Sequence, residues 1–381
     1  MQPDSHGPVP IIDFGPYIEH LTARTKSPSH DRIRQELLRS LGEQLDRACL
    51  DIGFFYCINH GVDPSLREAM FQQSAAFFHL PQEVKDEIGL DRHPYYRGYA
   101  RFGHERTLGK PDLHESLDYS VEYPADHPLS NLGIPLMGPN PYPRASMLPH
   151  FRTILSLYWQ AVQQLGERMM SALAVGMGLH ETYFTDKFSD PYCGIRLLRY
   201  PSLHRQQLNT SKLPDWVEGA MAEGAHGVGP HTDFGCLTIL AQDDIGGLQV
   251  LQRSGKALSS GIEVPAEHET NSKDWADVPP IKDSFVVNIG DMIEVWTNGR
   301  YKATLHRVVQ NTSWPAKDRY SIPFFYEPNF ACEVSPLDLS HLKGSFIPTF
   351  ADPSQVKIHY GKHFVHKVIR SFTNVHLQNS K

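Results

Sequence analysis

From residue 194 to residue 328 the hydrophobic pattern of this chain has a period of two, in short runs broken by turn residues. The runs are GIRLLRY (194–200), CLTILAQ (236–242), GGLQVLQ (246–252), SFVVNIG (284–290), MIEVWTN (292–298), LHRVVQN (305–311) and RYSIPFFYEP (319–328). Alternation over four to eight residues marks a strand. Many short strands at regular spacing predict an antiparallel barrel or jelly roll. Ahead of this region the period is helical. Ile33, Leu37, Leu41 and Leu45 form one apolar stripe, and Phe151, Leu155, Tyr158, Val162, Leu165, Met169 and Leu173 form another along a predicted helix from Met147 to Gly178. Asp63 followed by Pro64 reads as an N-cap and first helical position. Strands are predicted near VPIIDFGPYI and DIGFFYCINHGV (51–62), loops with short strands over 90–145, and a final helix over roughly 353–372. The fold class is therefore mainly β with packed helices (α+β). Residues 1–145 are expected to form an N-terminal region packed on a core of 146–381, in one compact unit. The polar segment 253–280 reads as an insertion between strands, a flap near the pocket mouth.

The chain has 381 residues, 40% hydrophobic and 21% charged, with a net charge of −7. That charge argues against nucleic acid or an anionic membrane as the main partner. No stretch approaches the roughly 18 apolar residues of a membrane span, and the first residues lack the pattern of a signal peptide. Cys49, Cys57, Cys193, Cys236 and Cys332 are scattered, odd in number and without a CxxC pair. A cytoplasmic setting is expected, without a disulfide framework or zinc site.

The stretch HTDFGCLTIL (231–240) places His231 and Asp233 two residues apart at the head of an apolar run. On a strand, positions i and i+2 share a face, so the pair offers a nitrogen and an oxygen side by side to a divalent metal. His268 and His306 are candidates for a third ligand. His306 is preferred because it heads a predicted strand. Two imidazoles and one carboxylate leave three octahedral positions open, the set used by non-haem Fe(II) oxygenases, whereas structural zinc prefers four protein ligands. With 21 histidines, the competing explanation is a core histidine bonded to a nearby acid. Arg319 and Ser321 again stand at i and i+2, a guanidinium and a hydroxyl suited to gripping a carboxylate. An exposed edge strand is the other reading of that pair.

Over nearly its whole length the sequence resembles the 2-oxoglutarate/Fe(II)-dependent dioxygenases, in the isopenicillin N synthase-like branch. The resemblance is carried by VPIIDF, GFFYCINHGV, FFHLPQEVK, LLRYPS, HTDFGCLTIL, GGLQV, VVNIGDMIEVWTNGRYKATLHRVV and RYSIPFFYEP. It implies a distorted double-stranded β-helix packed on helices, with His231, Asp233 and His306 as iron ligands. Arg319, Ser321 and Tyr200 would hold 2-oxoglutarate. Leu198 stands where many plant members have an asparagine. Fe(II), 2-oxoglutarate and O2 are the implied cofactor and co-substrates. Succinate and CO2 are the implied by-products of hydroxylation, desaturation or cyclisation of a small molecule in specialised metabolism.

For the substrate pocket, Arg97, Arg101 and Arg196 are candidates to bind a carboxylate-bearing substrate, and Phe234 and Phe325 are candidate apolar walls. A monomer is expected. Two other readings stand beside this one. One is a 2-oxoglutarate-independent oxidase whose RxS pair binds the substrate carboxylate. The other is a non-catalytic binding protein that keeps the scaffold.

Overall fold

The computed structural model describes the chain except residues 1–6, 24–26, 93–94, 124–125, 132–133, 135, 204–214, 223, 225, 253–273, 311–316, 343–345, 347 and 377–381. The chain opens with β1 (Ile11–Asp13), α1 (Gly15–Thr22), α2 (Pro28–Asp51), β2 (Phe54–Ile58), α3 (Pro64–Phe78) and α4 (Gln82–Asp86). Next come β3 (Gly98–Ala100), β4 (Arg106–Thr107), β5 (Lys110–Pro111), β6 (Glu115–Ser120) and α5 (Phe151–Gly176). The second half runs through β7 (Gly194–Tyr200), α6 (Asp215–Ala222), β8 (Val228–His231), β9 (Leu237–Gln242), β10 (Leu248–Leu251), β11 (Trp275–Asp277) and β12 (Phe285–Ile289). It ends with α7 (Asp291–Trp296), β13 (His306–Val308), β14 (Arg319–Tyr326), β15 (Glu333–Val334), β16 (Ile358–His359) and α8 (Tyr360–His376).

Two sheets form the jelly-roll core. The larger has the order β1-β2-β12-β9-β14-β7-β6-β3, and the smaller β11-β10-β13-β8. Both faces of the larger sheet are buried, so its strands read as apolar runs in which alternate residues serve different cores. On β2, Phe55 and Cys57 join the core shared with α2 and α5, whereas Phe54 and Tyr56 point between the sheets. On β12, Val287 faces the helices and Val286 faces the barrel interior with Leu198, Tyr200, Val250 and Val308. The helical layer packs closely. A Cβ on Gly42 of α2 would lie 2.8 Å from the Ala172 carbonyl and the Gly176 nitrogen of α5.

Helix α3 begins where the sequence signals it. Asp63 caps α3 by accepting from the Ser65 N–H at 2.8 Å, with Pro64 in the first turn. The whole predicted stripe of α5 is buried. On α2 the buried face runs through Leu38, Leu41, Leu45 and Cys49, which turns Ile33 out to 47% exposure.

Two expected elements differ. MIEVWTN is helix α7 rather than a strand, and every residue from Asp291 to Trp296 is buried. With no exposed face there is no period to read, and a short apolar run cannot be told from a strand. The last helix begins at Tyr360, because Pro353–Gln355 forms only a single 3-10 turn and Ile358–His359 pairs with β15. His268 and most of the polar insertion lie outside the described residues. The end of that insertion is β11, at the edge of the smaller sheet. Among the described residues no helix is long and apolar enough to cross a membrane.

Candidate active site

His231 is the last residue of β8, and His306 is the first residue of β13. The two strands pair antiparallel with His306 opposite His231, and the register shifts directly after His306. Such an irregularity re-aims a side chain. The imidazole centroids are 4.2 Å apart. Asp233 is not on a strand face with His231, as the i, i+2 argument supposed; it stands in the turn between β8 and β9. Its proximity comes from the turn's closure, since the Asp291 and Met292 N–H groups donate to the carbonyls of Asp233 and Gly235.

One ligand atom from each of His231, Asp233 and His306 lies within 4.8 Å of the other two. The Nε2 atoms of His231 and His306 are each 3.7 Å from an Asp233 carboxylate oxygen. Each Nδ1 sits beside a backbone carbonyl, Gly229 at 2.9 Å for His231 and Thr304 at 3.1 Å for His306. A carbonyl only accepts, so the proton is on Nδ1 and the Nε2 lone pairs point at the shared space. Burial, then the neighbouring His306, lowers the His231 pKa to about 4, so the ring is neutral as a ligand must be. Burial raises the Asp233 pKa, but the two imidazoles and the Asn288 and Thr238 donors outweigh it and hold the group below its ordinary value. Asn288 Nδ2 donates to Asp233 Oδ2 at 2.7 Å, and the Thr238 hydroxyl donates to the same oxygen. This donor set fits Fe(II) with open coordination positions.

Arg319 and Ser321 do share a face of β14. Arg319 is 0% exposed. Its Nη1 donates to the Ser321 Oγ at 3.2 Å, its Nη2 to the Gln242 Oε1 at 3.3 Å, and its Cζ lies 4.6 Å over the Tyr200 ring. The Nε is buried without a partner, and no carboxylate pairs with the guanidinium among the described residues. Asp243 is near in charge, but its oxygens accept from the Tyr320 and Ile245 N–H groups. Two long contacts to neutral acceptors leave most of the Arg319 donors free for an anion. The far carboxylate of 2-oxoglutarate fits this place. Leu198 lies opposite Ser321 in the β7–β14 register and supplies only an apolar wall.

A cavity of about 660 Å³ opens beside this cluster, touching His231, Asp233, Phe234 and Phe325. Arg97 and Arg196 line it as expected, but both guanidiniums are already engaged. Arg97 donates to the carbonyls of Val121 (3.0 Å), Leu136 (2.7 Å) and Gly138, and to Asn140 Oδ1 (3.3 Å). Arg196 forks onto Asp118 at 2.5 and 3.0 Å and reaches Glu105 at 2.9 Å. Arg101 is outside the cavity lining and pairs with Asp86 at 2.6 Å on the surface. The loop after Tyr95 leads into β3, which carries Arg101 past the cavity to the sheet's outer edge.

Sequence reasoning missed several residues. Asn288 and Thr238 are register partners on β12 and β9, and the lone Asn in SFVVNIG was the available signal. Gln242, Asp112, Glu105, Asp118 and Glu327 carry no local pattern. Phe364, Lys367 and Val368 of α8 reach the cavity from the far end of the chain.

Residues 9–145 match the family described as the non-haem dioxygenase in morphine synthesis N-terminal region, and residues 195–328 match the 2OG-Fe(II) oxygenase superfamily. A homoarginine-6-hydroxylase of Oryza sativa subsp. japonica is 33% identical over 96% of this chain and 97% of its own. A 2-oxoglutarate-dependent dioxygenase of Monascus ruber is 32% identical over 87% and 88%. A full-length Neurospora crassa protein solved with alpha-KG and thymine has a TM-score of 0.70 and 26% identity, covering 97% of this chain and 98% of that one.

Proposed function

The chain belongs to the 2OG-Fe(II) oxygenase superfamily, and from that premise we propose that it hydroxylates a small amino acid with a cationic side chain. It is a 2-oxoglutarate-dependent Fe(II) dioxygenase, and succinate and CO2 are the by-products this reading requires. The observation that carries the 2-oxoglutarate dependence is the wholly buried Arg319, held by Ser321, Gln242 and Tyr200 and paired with no carboxylate among the described residues. The substrate class is supported by the names of the plant relatives and by the cavity. Asp112 and Glu327, both buried there, accept only from neutral donors among the described residues. Such a substrate also keeps the carboxylate that the sequence led us to expect.

When bound, Fe(II) with 2-oxoglutarate supplies the oxidising power drawn from O2. The chain's own part is placement. His231, Asp233 and His306 hold the metal, and Asn288 and Thr238 keep the Asp233 carboxylate turned toward it. Arg319 and Ser321 fix the far carboxylate of the co-substrate. The apolar walls Phe234 and Phe325 exclude water and orient one C–H bond.

Anaerobic titration of the Fe(II)-loaded protein with 2-oxoglutarate tests this. A weak visible charge-transfer band is expected, with an apparent affinity lowered at least about 30-fold in Arg319→Ala, since loss of a buried charge pair costs about 2–5 kcal/mol. His231→Ala is expected to abolish the band while leaving the circular dichroism spectrum intact. A band that Arg319→Ala leaves unchanged overturns the co-substrate assignment and favours an oxidase that anchors its substrate there.

A further inference from the structure

The inward face of β14 continues past the strand. Positions 319, 321, 325 and 327 alternate to one side, so Arg319 and Ser321 serve the co-substrate while Phe325 and Glu327 line the substrate cavity. Glu327 is 4% exposed. Its Oε2 accepts from the Cys236 N–H at 2.8 Å, and no lysine, arginine or histidine pairs with it among the described residues. The carboxyl presses on the turn that bears Asp233. A Cβ at position 235 would lie 1.4 Å from Oε2 and 1.9 Å from the carboxyl carbon, so Gly235 is required by the space Glu327 occupies.

Burial pushes the Glu327 carboxyl up to about 8 against the opposing Cys236 N–H, and the negative charges of Asp233 and Asp291 add to the rise. The Tyr360 hydroxyl, fully buried at the start of α8, is the other polar group facing it. Lys367 of α8 also lines the cavity, with its Nζ 3.5 Å from Asp291 and 5.4 Å over the Phe234 ring. A buried carboxyl with one neutral donor, set in the wall of a substrate-sized cavity and unpaired with a cation among the described residues, ionises only against a cation brought by the substrate. Arg196 presents the opposite case, since two carboxylates already saturate it.

We propose that Glu327 determines substrate specificity: its carboxylate takes the ammonium or guanidinium of the substrate, at the edge of the cavity formed by the turn that carries Asp233. The proposal rests on the cationic-substrate reading above and names the residue that enforces it.

The test uses the full chain loaded with Fe(II) and 2-oxoglutarate, without oxygen. Calorimetric binding is measured for L-homoarginine, L-lysine, the uncharged isostere L-homocitrulline and thymine, on wild type and Glu327→Gln. Glutamine keeps the shape and the acceptor for the Cys236 N–H. At least one of the two cations is expected to bind wild type more tightly than homocitrulline. Glu327→Gln is expected to weaken that cation at least about 30-fold while leaving homocitrulline and 2-oxoglutarate unchanged. If a cation binds equally well to both proteins, the Glu327 assignment fails and the cationic reading stands. If only thymine or homocitrulline binds, or no cation binds at millimolar concentration, both fail. Should the variant not fold, the wild-type preference decides alone: equal affinity for homoarginine and homocitrulline overturns the proposal.

Discussion

At the scale of the residue, burial against a few neutral donors raises the pKa of two carboxyls of this cavity, Glu327 and Asp112. Asp112 accepts from the Thr107 hydroxyl at 2.8 Å and the Gly229 N–H at 3.0 Å. Burial, opposed by His114 and these donors, still raises its pKa from 3.8 to about 6. A raised carboxyl holds its proton in the fold where the unfolded chain has lost it. Its stabilising effect is therefore complete below about pH 4, declines as pH rises through 6 and is absent above. Two pKa units correspond to roughly 3 kcal/mol. Asp112→Asn should thus make the iron-free protein more stable than wild type at pH 7.5, by an amount up to about that figure, with the gain shrinking toward zero at pH 4. Urea unfolding at the two pH values measures it. An offset that does not change with pH would mean that the carboxyl is not protonated early.

At the scale of the element, two helical glycines carry opposite expectations because their surroundings differ. Gly166 of α5 lies against β14, where an added Cβ would meet the Tyr326 ring at 2.6 Å. Alanine there gains up to about 1 kcal/mol of helix propensity but forces the helix off the sheet, which costs about 1–3 kcal/mol. Gly219 of α6 has nothing within 4 Å of a built Cβ, so alanine should stabilise by about 0.4–1 kcal/mol. Chemical denaturation of Gly166→Ala and Gly219→Ala should move the midpoint in opposite directions. A stabilised Gly166→Ala would show that α5 has room to shift on β14. The same closeness explains why the stripe of α5 was readable from sequence: a helix packed this tightly shows one unbroken apolar face.

At the scale of the whole molecule, the larger sheet interleaves strands from both halves of the chain. β1 and β2 extend the sheet beyond β12 at one end, and β6 and β3 extend it beyond β7 at the other. Removing either half would leave backbone groups of buried strands unpaired. A single cooperative thermal transition is expected, followed equally by far-ultraviolet dichroism and tryptophan fluorescence. Two separated transitions would mean that residues 1–145 fold as an independent unit.

How much was legible divides along range in sequence. The strand runs, the α3 cap, the α5 stripe and the RxS pair are local patterns. Backbone periodicity and short-range hydrogen bonding write such patterns directly into neighbouring residues, and they determined the fold class and the candidates for the metal and the anion. Helix α7 was lost because burial on every side erases periodicity. Arg97 and Arg196 looked like substrate ligands because an arginine's availability depends on partners brought in by the fold: the carbonyls around residues 121–138 for one, and Asp118 and Glu105 for the other. Asn288 and Thr238 behind Asp233, the closure of the turn that carries it, and Glu327 pressed into the space left by Gly235 were decided only by tertiary structure. Each depends on strands far apart in sequence meeting in one register, and no local sequence pattern specifies which distant strand will supply the partner.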